Sequence, residues 1–329
     1  MSQRSKLQDV ANAAGVSFIT AWRALNQPEM VREKTADKVR AAAVEVGYVV
    51  NSVARSLVTS KSGVIGLVVP TLDDSIFSDT VEGLSDSLSQ SGREMLIGIS
   101  HYDYTREEEL IRAFVGRQID ALVLTGKEHS EATRNLITKS GTAVVEIWDV
   151  PQNPLDLFVG FSNRELAREA TRSLLAKGYR RIAFATPQSR ARAVERQNGY
   201  ETAMTEAGLG GNIRVVRTEP TLKGGADALD ELMSDNEPPD AIFFNGDTLA
   251  VGAHLHGSAN GLTFPKDVAI MGLHDTDIAS RVNPPLSTVR IPRYQIGRIA
   301  AQKIIDRLDG VSDGASETVA FEIVERGTT

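Results

Sequence analysis

Leu7-Gln8-Asp9-Val10-Ala11-Asn12-Ala13-Ala14-Gly15-Val16-Ser17-Phe18-Ile19-Thr20-Ala21-Trp22-Arg23 is the stretch that decides how the chain begins to fold. Leu7, Val10, Ala11 and Ala14 recur at helical spacing and make an apolar face two turns long, which Gly15 breaks where a tight turn asks for positive φ. Ser17 then stands as an N-cap, its hydroxyl able to accept an orphan amide of a second helix running from Phe18 through Leu25. Helix, glycine-containing turn, helix is the helix-turn-helix arrangement. With Ala21 and Ala24 inward, so small a core cannot also bury Phe18, Ile19 and Trp22, so some of them face out. An apolar side chain exposed at the start of a second helix suits contact with thymine methyls in a major groove.

Outward from this stretch, residues 34–45 predict a third helix with Val39, Ala42, Ala43 and Val46 inward, ended by Gly47. Residues 51–58 could form barely two turns of helix, too short to hold alone in water, and would be ordered only by a partner. From Gly63 the pattern changes. Val64-Ile65-Gly66-Leu67-Val68-Val69 is a continuous apolar run, and similar runs recur at 95–99, 121–125, 143–147, 182–185, 215–217, 241–244 and 268–271. Amphipathic helical stretches lie between them, as at 81–90, 105–116, 164–178 and 190–207. Short buried strands alternating with helices mean parallel sheet covered on both faces. That is compatible with a TIM barrel or two doubly wound sheets; the break at 149–161, with Pro151 and Pro154, favours two similar halves.

The 329 residues are 41% hydrophobic and 24% charged, which excludes a disordered or fibrous chain and calls for at least two cores. The absence of cysteine excludes disulfides, thiolate metal sites and cysteine nucleophiles, and suits a reducing cytoplasm. No apolar stretch approaches a membrane span and no signal-peptide core follows Met1-Ser2-Gln3-Arg4, so a cytoplasmic protein is expected. Net charge is −7, but residues 1–60 hold eight Lys/Arg against five acids, leaving the rest at −10, as in a nucleic-acid reader carried on a separate acidic body.

Catalysis finds little support. No GxGxxG follows the first strand, no GxxxxGK[ST] or GxSxG occurs, and His254 and His256 lack the spacing of a metal-binding pair, so no enzyme, metal or cofactor is expected. Two parallel-sheet halves do imply a cleft at the carboxyl ends of their strands. Candidates just past predicted strands are residues 73–77 with Ile76 and Phe77, His101-Tyr102, Thr125, Trp148-Asp149, the loop leading to Arg196, Asn245-Gly246-Asp247 and His274-Asp275. Arg196 can bind a carboxylate bidentately or clamp hydroxyls.

Lys6-Leu7-Gln8-Asp9-Val10-Ala11, Ala14-Gly15-Val16-Ser17, Arg23-Ala24-Leu25-Asn26, Gly47-Tyr48, and Asn51, Ala54-Arg55 and Leu57 resemble the opening of the LacI/GalR family of transcription repressors. Gly246-Asp247, Pro284-Pro285-Leu286-Ser287-Thr288-Val289 and Gly297 extend the resemblance through the body. It implies a helix-turn-helix head, a short hinge helix, and a periplasmic-binding-protein-like core of two doubly wound subdomains. The expected boundaries are 1–50 for the head, 51–61 for the hinge, 62–160 plus 292–318 for the core N-subdomain, and 161–291 plus 319–329 for the C-subdomain, with a final strand at 318–324. It further implies a homodimer on a palindromic double-stranded operator, with contacts from Ser17, Phe18, Ile19, Thr20, Trp22, Arg23 and Asn26, and from the hinge residues Asn51, Ala54, Arg55 and Leu57. Trp22 departs from the small hydroxyl residue commoner in the family. To the cleft set the resemblance adds Glu146 and Phe161.

Within the family the likeness is to gluconate-operon repressors, carried by His101-Tyr102-Asp103-Tyr104, Leu122 to Thr125 with His129, and Gly272-Leu273-His274-Asp275. Many members place an acid where His274 stands. A histidine there, with Arg196, favours an anionic, polyhydroxylated effector such as gluconate over a neutral or phosphorylated sugar. A transport solute-binding protein, the rival of another class, would lack residues 1–60.

Overall fold

A computed structural model of the chain describes residues 5–49, 61–72, 75–188, 191–311 and 314–329, in two compact units, Met1–Ser62 and Gly63–Thr329. The first holds α1 (Leu7–Ala14), α2 (Phe18–Asn26) and α3 (Glu33–Glu45). Its core is built of small residues: Val10, Ala11, Ala14, Ala21, Ala24, Ala36, Val39, Ala42 and Ala43. Gly15 sits at φ 60° and closes α1 in the left-handed region, so the chain turns within three residues into α2. The expected hinge, residues 51–58, lies outside the described residues.

The second unit contains two parallel sheets. The first runs β2 (Glu94–Ile99), β1 (Val64–Val69), β3 (Ala121–Thr125), β4 (Ala143–Ile147), β5 (Leu157–Gly160) and, at the far edge, β11 (Glu317–Thr318). The second runs β7 (Arg214–Arg217), β6 (Ile182–Thr186), β8 (Ala241–Phe244) and β9 (Ala269–Met271). Alternate residues serve opposite faces: Ala121 and Val123 of β3 join one core cluster, Leu122 and Leu124 another. Both faces are therefore dry, which is why these strands read as unbroken apolar runs.

Helices pack in pairs over the sheets: α4 (Ser78–Gln90) with α11 (Arg293–Leu308), α7 (Asn163–Ala176) with α8 (Ala191–Glu206), and α9 (Leu222–Met233) with α10 (Asp247–Ala259). The third pair crosses at Gly225 and Gly252, each lying against a carbonyl of the opposite helix (Leu249 and Leu222); a methyl at either would collide with backbone. This contact fixes where α10 begins, at the cleft. The remaining helices, α5 (Tyr104–Gly116) and α6 (Glu131–Ser140), cover the outer face of the first sheet.

Two expectations need correction. The break at 149–161 conceals β5, whose four residues are too few to show against the prolines before them. The single final strand at 318–324 is two: β11 pairs with β5 in the first sheet, whereas β12 (Glu322–Val324) runs antiparallel to β10 (Thr288–Arg290). Between them the chain passes from one sheet to the other, so no single register spans it.

Candidate functional site

In the head, Ser17 Oγ accepts from the Thr20 amide at 3.1 Å and starts α2. One face of α2 is fully covered at Ala21 and Ala24, while Phe18 and Ile19 remain 49% and 61% exposed. Arg23 is also exposed, and Trp22 is half-buried. An apolar pair and a guanidinium thus share the open side of the second helix. Asn26 does not join them: its Nδ2 donates to the Trp22 carbonyl at 2.9 Å, closing its own helix. Thr20 Oγ1 is likewise turned to Ser17 Oγ, 2.8 Å away. Asn51, Ala54, Arg55 and Leu57 fall outside the described residues.

In the second unit, a cleft of about 600 Å³ opens at the carboxyl ends of both sheets. It gathers Ile76, Tyr102, Trp148, Arg196, Asn245, Gly246 and His274 from the sequence-derived set, together with Arg192 and Thr248. Arg196, only 4% exposed, donates from Nε to Asn163 Oδ1 at 2.8 Å and from Nη1 to the Asn245 carbonyl and Oδ1, each at 3.2 Å. Its fork is thereby fixed across α7 and the end of β8. The Arg192 guanidinium lies over the rings of Phe77 and Trp148, 5.2 and 5.8 Å from their centroids, a cation–π placement, and its Nη1 is buried without a hydrogen-bond partner.

His274 meets Trp148 edge-on at 6.2 Å, and its amide donates to Val289 O at 2.8 Å. Burial, and then the charges of Arg196, Arg293 and Arg192, hold its pKa well below the ordinary value, so the ring is neutral at pH 7. Nε2 has no partner. No carboxylate stands among the described residues lining this cleft.

A second cavity of about 710 Å³ adjoins it through Tyr102 and Arg192 and has the opposite character. Thr125, Asp149, Glu107, Glu128 and Lys127 line it. Lys127 Nζ reaches Glu195 Oε1 at 3.0 Å and Asp149 Oδ1 at 3.8 Å, tying the loop after β3 to α8. Burial opposes the lysine charge, but Asp149, Glu195 and Glu128 outweigh it and raise its pKa. Asp149 is pushed up by burial against the pull of Lys127, and its Oδ2 is left unpartnered.

Several sequence-derived candidates lie elsewhere. Phe77 and Phe161 are buried behind Trp148, with ring centroids 5.0 and 6.0 Å from it; they hold the indole while its Nε1 donates to Thr80 Oγ1 at 3.1 Å. His101 turns outward at φ 53°, leaving Tyr102 to face the cleft. Glu146 shares the outer face of β4 with Val144, since side chains alternate along a strand. There its Oε2 accepts the Leu155 amide at 2.7 Å and Oε1 lies 3.4 Å from His129 Nε2, while His129 Nδ1 bonds Glu107 at 2.8 Å. Burial alone would lower the pKa of His129; the bond to Glu107 and the Glu146 carboxylate overcome it and raise it to about 9.

Reading by position included Arg192 only within the loop leading to Arg196, without a role of its own, and Arg293, after Pro292, carried no signal. Arg293 pairs with Asp79, its Nη2 at 2.7 Å, and its charge reaches His274.

A three-helix head with an open apolar recognition face, joined to a two-sheet unit with a small-molecule cleft, defines a ligand-responsive DNA-binding regulator. The chain belongs to the LacI family: residues 6–51 match bacterial regulatory proteins of the lacI family, and residues 62–321 match the periplasmic binding proteins and sugar binding domain of the LacI family. It is 37% identical to the HTH-type transcriptional regulator GntR of Pseudomonas aeruginosa, over 99% of this chain and 96% of that one. It is 33% identical to the HTH-type transcriptional regulator GntR of Escherichia coli K12, over 94% of each. A crystal structure of a LacI family transcriptional regulator from Silicibacter pomeroyi superposes with a TM-score of 0.91 at 27% identity, over 98% of this chain and 99% of that one. The chain is therefore a transcriptional repressor of this family and not an enzyme. No helix among the described residues is long and apolar enough to cross a membrane.

Proposed function

We propose that this protein is a cytoplasmic, homodimeric repressor of sugar-acid catabolism genes that binds a palindromic operator and is released by an aldonate, gluconate being the first candidate. Residues 1–50 would read the operator, 51–61 would form the hinge, and the two subdomains, 62–160 with 292–318 and 161–291 with 319–329, would close on the effector. Phe18, Ile19 and Arg23 are offered to the major groove, where an arginine can bond guanine bidentately and apolar groups meet thymine methyls.

One observation carries the effector assignment: Arg192, Arg196 and a neutral His274 line the first cavity without any carboxylate among the described lining residues. Burying an unpaired carboxylate costs several kcal/mol, so a wall of fixed donors selects for one. The adjoining cavity, with Asp149 and Thr125, offers acceptors to hydroxyls. An open chain with a carboxylate at one end and hydroxyls along the rest matches both. Titration calorimetry of the full-length protein at pH 7 tests this. Gluconate should bind at least about tenfold more tightly than glucose, the difference of one charged hydrogen bond. Equal affinities, or a preference for glucose, would remove the aldonate assignment.

A further inference from the structure

Along α2 the polar side chains turn back to the head and the large apolar ones do not. Thr20 Oγ1 lies 2.8 Å from Ser17 Oγ. Asn26 Nδ2 donates to the Trp22 carbonyl at 2.9 Å, and its Oδ1 is buried. Of the polar residues of α2, Arg23 alone is exposed. Phe18 and Ile19 stand in solvent near it.

Trp22 belongs with this open face. Ala21 and Ala24, fully covered, mark the inner side of α2. An α-helix turns by about 100° per residue, so Trp22 stands between Phe18, four residues back, and Ile19, three residues back, and on the side away from Ala24. Among the described residues of α2, Leu25 packs against the small core of the head, whereas Trp22, half-buried, does not. The largest side chain of the head therefore adds its apolar surface to that of Phe18 and Ile19 and not to the core.

Such a face can register little in a major groove except one chemical group. The edges of adenine, guanine and cytosine carry donors and acceptors that an indole, a phenyl ring and a butyl group cannot satisfy, and covering them leaves those groups unpaired at a cost. Thymine alone among the four bases presents a methyl group there. Apolar side chains thus favour thymine by contact and disfavour the other bases by desolvation.

We propose that Trp22 is a specificity-determining residue of the DNA-binding face, and that with Phe18 and Ile19 it selects operator half-sites by the methyl groups of neighbouring thymines. Arg23 is then the one side chain of α2 that bonds a base edge, at a guanine beside them. This rests on the proposed reading of the operator by α2 and deepens it by naming what is recognised: a run of pyrimidine methyls and not a pattern of hydrogen bonds.

The test uses full-length protein and a duplex that the protein has selected from a random pool. The duplex is resynthesised with deoxyuridine at each thymine in turn, which keeps every hydrogen-bonding edge and removes only the methyl. Fluorescence anisotropy should show a loss of about fourfold at two or more thymines of each half-site, the effect of one buried methyl-sized group. In Trp22→Ala one of these losses should shrink below about 1.5-fold while the others persist, because the contact it measures is already gone. Trp22→Phe, which keeps an apolar ring without the indole N–H, should retain the loss. The uridine scan of the wild type needs no variant to fold. A wild-type protein insensitive to uridine at every thymine overturns the proposal. So does a Trp22→Ala protein that keeps every uridine loss and binds selected and random duplexes equally more weakly, since the indole would then touch the phosphate backbone. A protein that selects no duplex overturns the operator reading of α2 and this inference together.

Discussion

The head and the cleft reach function by opposite departures from the ordinary rule of burial. In the head the core is made of alanines and valines, and the large apolar residues of α2 are left in solvent, Phe18 at 49% and Ile19 at 61% exposure. In the cleft the reverse holds: Arg196 and His274 are each 4% exposed, deep in a unit whose core is otherwise aromatic and aliphatic. An exposed large apolar pair and a buried polar pair are the informative exceptions in a folded chain, whereas a buried leucine says little. On the proposed function the first exception is covered by DNA and the second by the effector.

The largest expected effect lies on the buried side. Arg196→Ala removes a fork fixed by Asn163 and Asn245 and should cost gluconate binding about 2 to 5 kcal/mol, as truncation of one partner of a buried charged pair does. Calorimetry that finds the loss below about threefold would mean Arg196 only braces the subdomain.

A second buried polar group has a structural effect with a definite sign. The pKa of His129 stands near 9, against 6.5 unfolded, so the folded core holds its proton more tightly. The stability this contributes is complete below pH 6.5 and is lost as pH rises through 9, on the order of 3 kcal/mol in all. Urea melts at pH 6 and pH 9 should show it, and His129→Gln should flatten the difference; an unchanged slope in the variant would assign the pH dependence elsewhere.

On the exposed side, Phe18→Ala and Ile19→Ala should each weaken operator binding by about 1 to 3 kcal/mol while altering stability by less than about 0.5 kcal/mol. If either lowers the melting point of the head instead, the side chain belongs to its core and the contrast between the two regions fails. Smallest is Ser17→Ala, which deletes the cap on the Thr20 amide and should destabilise the head by about 1 kcal/mol.

The two regions also differed in how far the sequence could be read. The head was legible because its signals are local: the spacing of Leu7, Val10, Ala11 and Ala14, the turn at Gly15, the hydroxyl of Ser17 and the shortage of room around Ala21. The long buried strands were legible as apolar runs, but β5, β10, β11 and β12 have two to four residues each and take their identity from partners far along the chain. The cleft was legible as a set of strand ends, not as a set of directions. Glu146 was assigned to the cleft and faces His129; of the pair His101-Tyr102, the turn presents Tyr102. Arg192 matters because two aromatic rings from elsewhere in the chain lie beneath it, which is no pattern within a window of sequence.

If the proposed function holds, an anion entering the buried polar cleft changes the grip of the exposed apolar helix on DNA. The most direct measurement is the affinity of full-length protein for a duplex it has selected from a random pool, followed by fluorescence anisotropy with saturating gluconate, with glucose and with neither. Gluconate should weaken binding by about 5- to 150-fold, the usual span of coupling between two sites, and glucose should leave it unchanged. Equal DNA affinity with and without gluconate, in a protein that calorimetry shows to be saturated with it, would mean that the cleft and the head are not coupled through this ligand.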